Sequence, residues 1–173
     1  NPSQSEYERF IGLEHFDSGS LMINRWGSPE ELISAMKLFK KGDILFARRN
    51  AYLRRCSAVD FDGICSGDAI VLRRKNGIAK GLLPLIFNTE RLWDFAISHA
   101  SGTMSKRVKW KELKEYPFLL PPIEKQKKIA ELLWEAENSI ENADDKIERA
   151  TRSREGGIAR ANESSVDSPR TRF

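Results

Sequence analysis

Leu120-Pro121-Pro122-Ile123-Glu124-Lys125-Gln126-Lys127-Lys128-Ile129-Ala130 marks the point where the sequence changes character. Ahead of the prolines, apolar residues come in short runs broken by Gly, Asp and Asn. After them Ile129, Leu133, Ala136, Ile140, Ala143, Ile147 and Ala150 recur at spacings of 4, 3, 4, 3, 4 and 3. Proline lacks an N–H and fixes φ, so the pair ends what precedes it and lets a helix begin just beyond. A 3.5-residue repeat with charges between is the seam of a coiled coil, narrower than the face a helix turns to an ordinary core. Two readings stay open: the helix pairs with another helix, or it packs on its own domain. Dense charge on both flanks of the seam favours the first. Alanine at alternate seam positions implies close approach and modest affinity, and a lone helix of this length is marginal in water, so a partner is expected. Residues 151–173 carry Arg, Ser, Gly and Asn without periodicity and read as a disordered tail.

Upstream the pattern is that of an α/β domain. Residues 6–26 read as extended segments. Ser28, Pro29 and Glu31 stand as N-cap, first helical residue and capping-box acid, which predicts a short helix ending near Phe39. A turn at 40–43 leads into the strand Ile44–Ala47, and 48–55 is an irregular loop. Ala58–Phe61 reads as a second extended run, 62–68 as a glycine-rich turn and Ala69–Arg73 as a further strand. Leu85, Ile86, Leu92, Trp93, Ala96 and Ile97 share one side of a helix over 82–99, and Tyr116–Leu120 is a last short strand. The expected fold is a twisted, mixed or barrel-like sheet flanked by helices at 28–39 and 82–99, followed by a long helix.

Charge separates the parts. Residues 37–120 hold 17 Lys/Arg against 8 Asp/Glu, or +9, whereas 121–150 hold 5 against 8, or −3. A basic domain favours a polyanionic partner, because neutralised phosphates release counterions; a solvated surface with no partner is the other reading. No apolar run approaches the roughly 20 residues of a membrane span. Two cysteines and two histidines, scattered, form neither a disulfide framework nor a zinc site, and a reducing cytoplasm is the expected setting. The segment 62–68 lacks the Gly-Lys-Ser/Thr of a nucleotide-binding loop. Leu120-Pro121-Pro122-Ile123 lacks the polar residue that an amino-methyltransferase needs to hold its target amine, and no glycine-rich cofactor loop accompanies it. No nucleophile pattern surrounds His15 or His99, so no catalytic residue and no metal ligand is expected.

Three stretches can meet a nucleic acid. Arg48-Arg49-Asn50-Ala51-Tyr52-Leu53-Arg54-Arg55 follows a strand directly. Guanidinium forks match phosphate oxygens and the guanine edge, an asparagine amide matches adenine, and a tyrosine ring stacks or hydrogen-bonds. A solvated basic turn is the alternative. In 62–68, Ser66 and Gly67 expose backbone N–H groups suited to a phosphate, although a structural turn is the simpler reading. In 101–109, Lys106, Arg107 and Lys109 make a second basic loop, in which Ser101 and Ser105 can donate to phosphates.

Taken together, GDILFARRNAYLRR, DGICSGDAIVLR and SGTMSKRVKWKELKEYPFLLPPIEKQKKIAELL, in this order and spacing, resemble specificity subunits of type I restriction–modification systems over about residues 7–150. The resemblance implies a DNA target-recognition domain over 1–121 and a spacer or dimerisation helix over 122–150. Such subunits are non-catalytic. They usually carry two recognition domains, each reading half of a bipartite duplex site, separated by antiparallel helices. They bind modification subunits, which methylate adenine with S-adenosylmethionine, and the complex recruits an ATP-driven restriction subunit. S-adenosylmethionine, ATP and magnesium are thus expected only on partners. By segment, the resemblance places Arg48, Arg49, Asn50, Tyr52, Arg54, Arg55, Ser66, Gly67, Ser105, Lys106 and Arg107 near DNA, and Ile129, Leu133, Ala136, Ile140, Ala143 and Ile147 in helix pairing. The chain departs from the pattern in holding one recognition domain, in lacking the usual N-terminal segment and in its sequence after Ile147. It therefore reads as a half-subunit, a fragment or a frame-disrupted remnant. With one arm, pairing is expected between molecules, as a homodimer or with a second specificity fragment. A degraded subunit that binds partners only through its helix is the competing expectation.

Overall fold

The computed structural model describes residues 6–29 and 36–166. Ile44-Leu45-Phe46-Ala47 is the strand on which the domain is organised, and all four side chains are buried. Such an uninterrupted apolar run belongs between two covered faces. In chain order the strands are β1 (Phe10–Ile11), β2 (Met36–Phe39), β3 (Ile44–Ala47), β4 (Cys56–Ala58), β5 (Gly63–Ser66) and β6 (Ala69–Leu72). They form two three-stranded sheets, ordered β1-β5-β2 and β4-β3-β6. β1 runs parallel to β5 and the other pairings are antiparallel, so the first sheet is mixed. Neither sheet closes on itself, which corrects the barrel-like expectation.

Strand periodicity sorts the core into two clusters. Ile44 and Phe46 pack with Leu83, Phe87, Leu92, Trp93 and Ala96 of α1 (Leu82–Phe87) and α2 (Glu90–Ser98). Phe46 stacks on Trp93 with ring centroids 4.9 Å apart. Leu45 and Ala47 point the other way, into a cluster with Ile11, Phe39 and Cys65 of the first sheet. Sheet, sheet and helices thus share β3 as their middle element.

Several expected elements change. The helix expected over 28–39 is strand β2 from Met36 onward, and 30–35 lie outside the described residues. Over Met36–Phe39 the expected helix gives way to a ladder: these residues pair with Ser66 to Gly63, the stretch that read as a turn. Glycine is required at 63, because a Cβ there would stand 2.6 Å from Phe39 Cζ and 2.7 Å from the Arg9 carbonyl oxygen. The expected run at 58–61 is shifted, its ladder being Cys56–Ala58. The helix over 82–99 is broken at Asn88-Thr89. Asn88 Nδ2 donates to the carbonyls of Cys56 (2.7 Å) and Pro84 (2.9 Å), and Thr89 caps α2 by accepting from Leu92 N–H. Tyr116–Leu120 has no ladder partner among the described residues. Instead Tyr116 N–H closes the short helix α3 (Trp110–Leu113) by donating to the Leu113 carbonyl, and Leu119 is almost wholly exposed.

The chain divides into two compact units, Asn1–Glu131 and Leu132–Phe173. Helix α4 (Ile123–Val166) begins in the first, where the buried Gln126 fastens it to the turn at 77–79. It passes Ala150 without a break, so the tail expected to be disordered from 151 is helical as far as Val166, and 167–173 lie outside the described residues. Arg149 pairs with Asp145 and Arg152 with Glu148, one turn back each, which carries the helix over the expected boundary. Of the seam residues Ile129 is half-buried; Leu133, Ala136, Ile140, Ala143 and Ile147 are exposed.

Candidate nucleic-acid interface

Backbone hydrogen bonds sew the three basic or turn segments together. Arg48 N–H donates to the Asp68 carbonyl (3.0 Å), Val108 N–H to Arg48 (2.9 Å) and Asn50 N–H to Lys106 (2.9 Å). Arg49 and Arg107 form an antiparallel bridge, as do Ser101 and Arg107. Residues 56 positions apart in the chain thus become neighbours, and the side chains follow: Arg49 Nε donates to Ser105 Oγ (2.8 Å), which donates to Asn50 Oδ1 (3.1 Å). Asn50 takes the left-handed conformation, φ 55 and ψ 56, which asparagine tolerates better than most residues, and so reverses the chain into the turn Ala51–Leu53. Gly102, at φ 125 with Ser105 O only 3.0 Å from where a Cβ would sit, closes the other loop.

Asp68 gathers the cations. Its carboxylate lies 3.3 Å from Arg48, 3.8 Å from Arg49 and 3.3 Å from Arg107. Three guanidinium groups around one carboxylate leave a net positive site. Among the predicted residues, Arg48, Arg49, Asn50, Ser105 and Arg107 therefore converge through their side chains, and Lys106 through its backbone. Ser66 and Gly67 build the turn beneath: Ser66 Oγ accepts Asp68 N–H (3.2 Å) and the Gly67 carbonyl accepts Lys37 Nζ (3.1 Å). Three residues stand apart. Arg54 reaches Glu90 (3.8 Å) and Asp94 (3.9 Å) on α2. Arg55 donates to the Leu13 carbonyl (2.8 Å), and burial lowers its pKa. Tyr52 lies exposed on the turn Ala51–Leu53.

Sequence reasoning missed Asp68 and Lys37. Asp68 stood inside the glycine-rich turn, one of two acids, with Asp62, in the three segments, and nothing local set it apart from Asp62. Lys37 fell within the expected helix. In the structure its ammonium donates to Gly67 and to Ala69 (2.6 Å), and burial, with the Arg48 guanidinium nearby, lowers its pKa. Met104, at the tip of the second loop, is 99% exposed, an apolar side chain held up beside the cations. The histidines are locally engaged: His15 Nδ1 accepts Gly12 N–H (2.9 Å), and His99 stacks on Phe95. Among the described residues no group of three His, Cys, Asp or Glu could hold a metal ion, and no helix is long and apolar enough to cross a membrane.

Fold and loops together describe an α/β domain with a cluster of cationic loops, from which a long helix issues. The family model of the type I restriction modification DNA specificity domain matches residues 27–152, and the chain belongs to that family. It is 30% identical over 96 residues to the type I restriction enzyme EcoDI specificity subunit of Escherichia coli, an alignment covering 56% of this chain and 21% of that protein. Among solved structures it is similar to the HsdS subunit from Thermoanaerobacter tengcongensis, with a TM-score of 0.68 and 23% identity, covering 82% of this chain and 39% of that one. A chain from a structure concerning complex assembly and conformational transition of the type I R-M system matches with a TM-score of 0.71 and 21% identity, covering 99% of this chain and 47% of the other. These two likenesses bear on the fold. The chain spans about a fifth of the curated relative, and less than half of each solved chain.

Proposed function

We propose that this chain reads one half of a bipartite duplex DNA site for a type I restriction–modification complex, in which partner subunits carry out adenine methylation and restriction. The carrying observation is the convergence of Arg48, Arg49 and Arg107, from two separate loops, on one exposed cationic site. Arginine forks meet phosphates and guanine edges, and Asn50, held through Ser105, is poised for a base edge. Met104 and Tyr52 offer apolar and aromatic contact to bases. The chain itself contributes no catalysis and holds no cofactor; S-adenosylmethionine, ATP and magnesium belong to the modification and restriction subunits, and the complex works in the cytoplasm. Helix α4 pairs along Ile129, Leu133, Ala136, Ile140, Ala143 and Ile147 with a second copy or another specificity fragment, bringing two recognition domains to two half-sites.

The reading in which the chain acts only through its helix is not favoured, because the family match at 27–152 takes in β2 to β6 and the arginine loops as well as the arm. The test is duplex binding by the full chain, alone and with a modification subunit, as salt is raised. A steep linear fall of log affinity with log salt is expected if several phosphates are neutralised. Affinity that stays flat between low and moderate salt would remove the DNA reading.

A further inference from the structure

Asp68 differs from an ordinary ion-pair partner, and the difference is measurable within this molecule. The buried Asp43 binds Arg73 with two short hydrogen bonds, 2.7 and 2.6 Å, and accepts one more from the Lys40 backbone N–H (2.8 Å), so it serves a single arginine. Asp68 instead shares its two oxygens among three arginines at 3.3 to 3.8 Å. Each guanidinium is restrained while keeping N–H donors for another acceptor. The backbone that carries this carboxylate is itself held from below. Lys37 Nζ donates to the carbonyls on either side of it, Gly67 and Ala69, Ser66 Oγ accepts its own N–H, and its carbonyl accepts Arg48 N–H. The acid is therefore fixed to the sheets, and the arginines are referenced to it.

We propose that Asp68 is a positioning residue that sets sequence discrimination, an inference that rests on the DNA reading above. It holds Arg48, Arg49 and Arg107 in one arrangement against their mutual repulsion, and it weakens their pull on any bare phosphate. Without it the three cations would follow the nearest backbone oxygens. Attraction to duplex in general would rise while preference for one sequence fell, because backbone contacts carry no sequence information and base contacts do.

The experiment compares the full chain with Asp68→Asn and Asp68→Glu. The wild type first selects preferred duplexes from a randomised pool; each protein is then titrated with the selected duplex and with the unselected pool at two salt concentrations. Asp68→Asn is expected to bind the unselected pool several-fold more tightly at low salt, and its preference for the selected duplex is expected to drop on the order of tenfold, the size of one lost base contact. Asp68→Glu is expected to recover part of that preference. A parallel weakening on both duplexes would mean that Asp68 only maintains the fold, and an unchanged preference would mean that it sets nothing; either overturns the proposal. If the wild type enriches no duplex, the DNA reading itself has failed, a result visible before any variant is measured.

Discussion

Gln126 Oε1 accepts the backbone N–H of Ala79 at 2.9 Å, joining the first turn of the long helix to a turn 47 residues earlier. The same amide donates through Nε2 to the carbonyls of Gly77 (3.0 Å) and Pro121 (2.8 Å), and the residue is only 2% exposed. One glutamine thus satisfies one donor and two acceptors of the backbone. Replacing it with leucine keeps the bulk and strands all three. Desolvated groups left unpaired cost about 1–3 kcal/mol each, and because two of the three bonds are only partly buried the lower end applies, so Gln126→Leu should destabilise the first unit by about 3 kcal/mol. Urea denaturation measures this, with the exposed Lys125→Ala as a control expected to change little. An unchanged midpoint for Gln126→Leu would mean that the helix start is not held by this amide.

The arginines separate by the partners they keep. Arg49 and Arg107 share Asp68, whereas Arg54 faces acids on α2 and Arg55 is tied to Leu13. Arg49→Ala with Arg107→Ala should weaken duplex binding, lower the preference for one sequence, and reduce the salt slope by at most about two, one for each arginine that also meets a phosphate. Arg54→Ala should leave the slope unchanged. Arg55→Ala should lower the thermal midpoint, again without moving the slope. Equal losses of slope across all four positions would show that the loop acts as undirected charge.

These assignments show where sequence was enough. The apolar run Ile44–Ala47 read as a strand and the prolines at 121–122 as the start of a helix, because periodicity and φ restriction are local properties; that both faces of the strand are covered emerges only from the fold. That 48–50 and 105–107 would meet was foreseen only as two basic loops; the bridge between Arg49 and Arg107 is a tertiary fact. β5 was hidden for the same reason. Gly63-Ile64-Cys65-Ser66 has the composition of a turn, and becomes a middle strand only because β1 and β2 flank it and Phe39 needs the space above Gly63. The break at Asn88 depends on the Cys56 carbonyl, which no helical pattern announces.

Acid sensitivity has an identifiable contributor. Asp62 accepts the Lys41 backbone N–H (2.7 Å) and pairs with Lys40 Nζ (2.9 Å), and these contacts hold its pKa below the ordinary aspartate value. Lys40 is shifted the other way, upward, by hydrogen bonds to Tyr7 and Asp62. A depressed carboxylate stabilises the fold above its unfolded pKa and loses that contribution as pH falls through the folded value. A raised lysine stabilises below its unfolded pKa and loses its share as pH rises through the folded value. The thermal-midpoint difference between wild type and Asp62→Asn should therefore be level through neutral pH, small as for exposed pairs, and shrink at both extremes. A difference that persists undiminished in acid would place its origin outside this pair.

The seam of α4 gives the prediction on which the two-domain arrangement depends. Leu133, Ile140 and Ile147 stand seven residues apart and are 47%, 58% and 64% exposed. Three large apolar side chains in one heptad column are costly to leave in water, at about 25 cal/mol per Å² of apolar surface, and burying them against a second helix recovers that energy. Ile140 is the middle residue of the column, where a lysine cannot easily extend to solvent from a paired interface. Ile140→Lys should therefore halve the mass measured by light scattering if the wild type is a dimer, while the urea midpoint of the first unit stays as it was. Glu135→Lys, exposed on the same helix and on the side away from the seam, should leave the mass unchanged. Dissociation by both substitutions would point to charge across the whole helix rather than the stripe. A wild type that is monomeric throughout would exclude self-pairing along the seam; pairing with another specificity fragment would then require that Ile140→Lys abolish capture of that fragment.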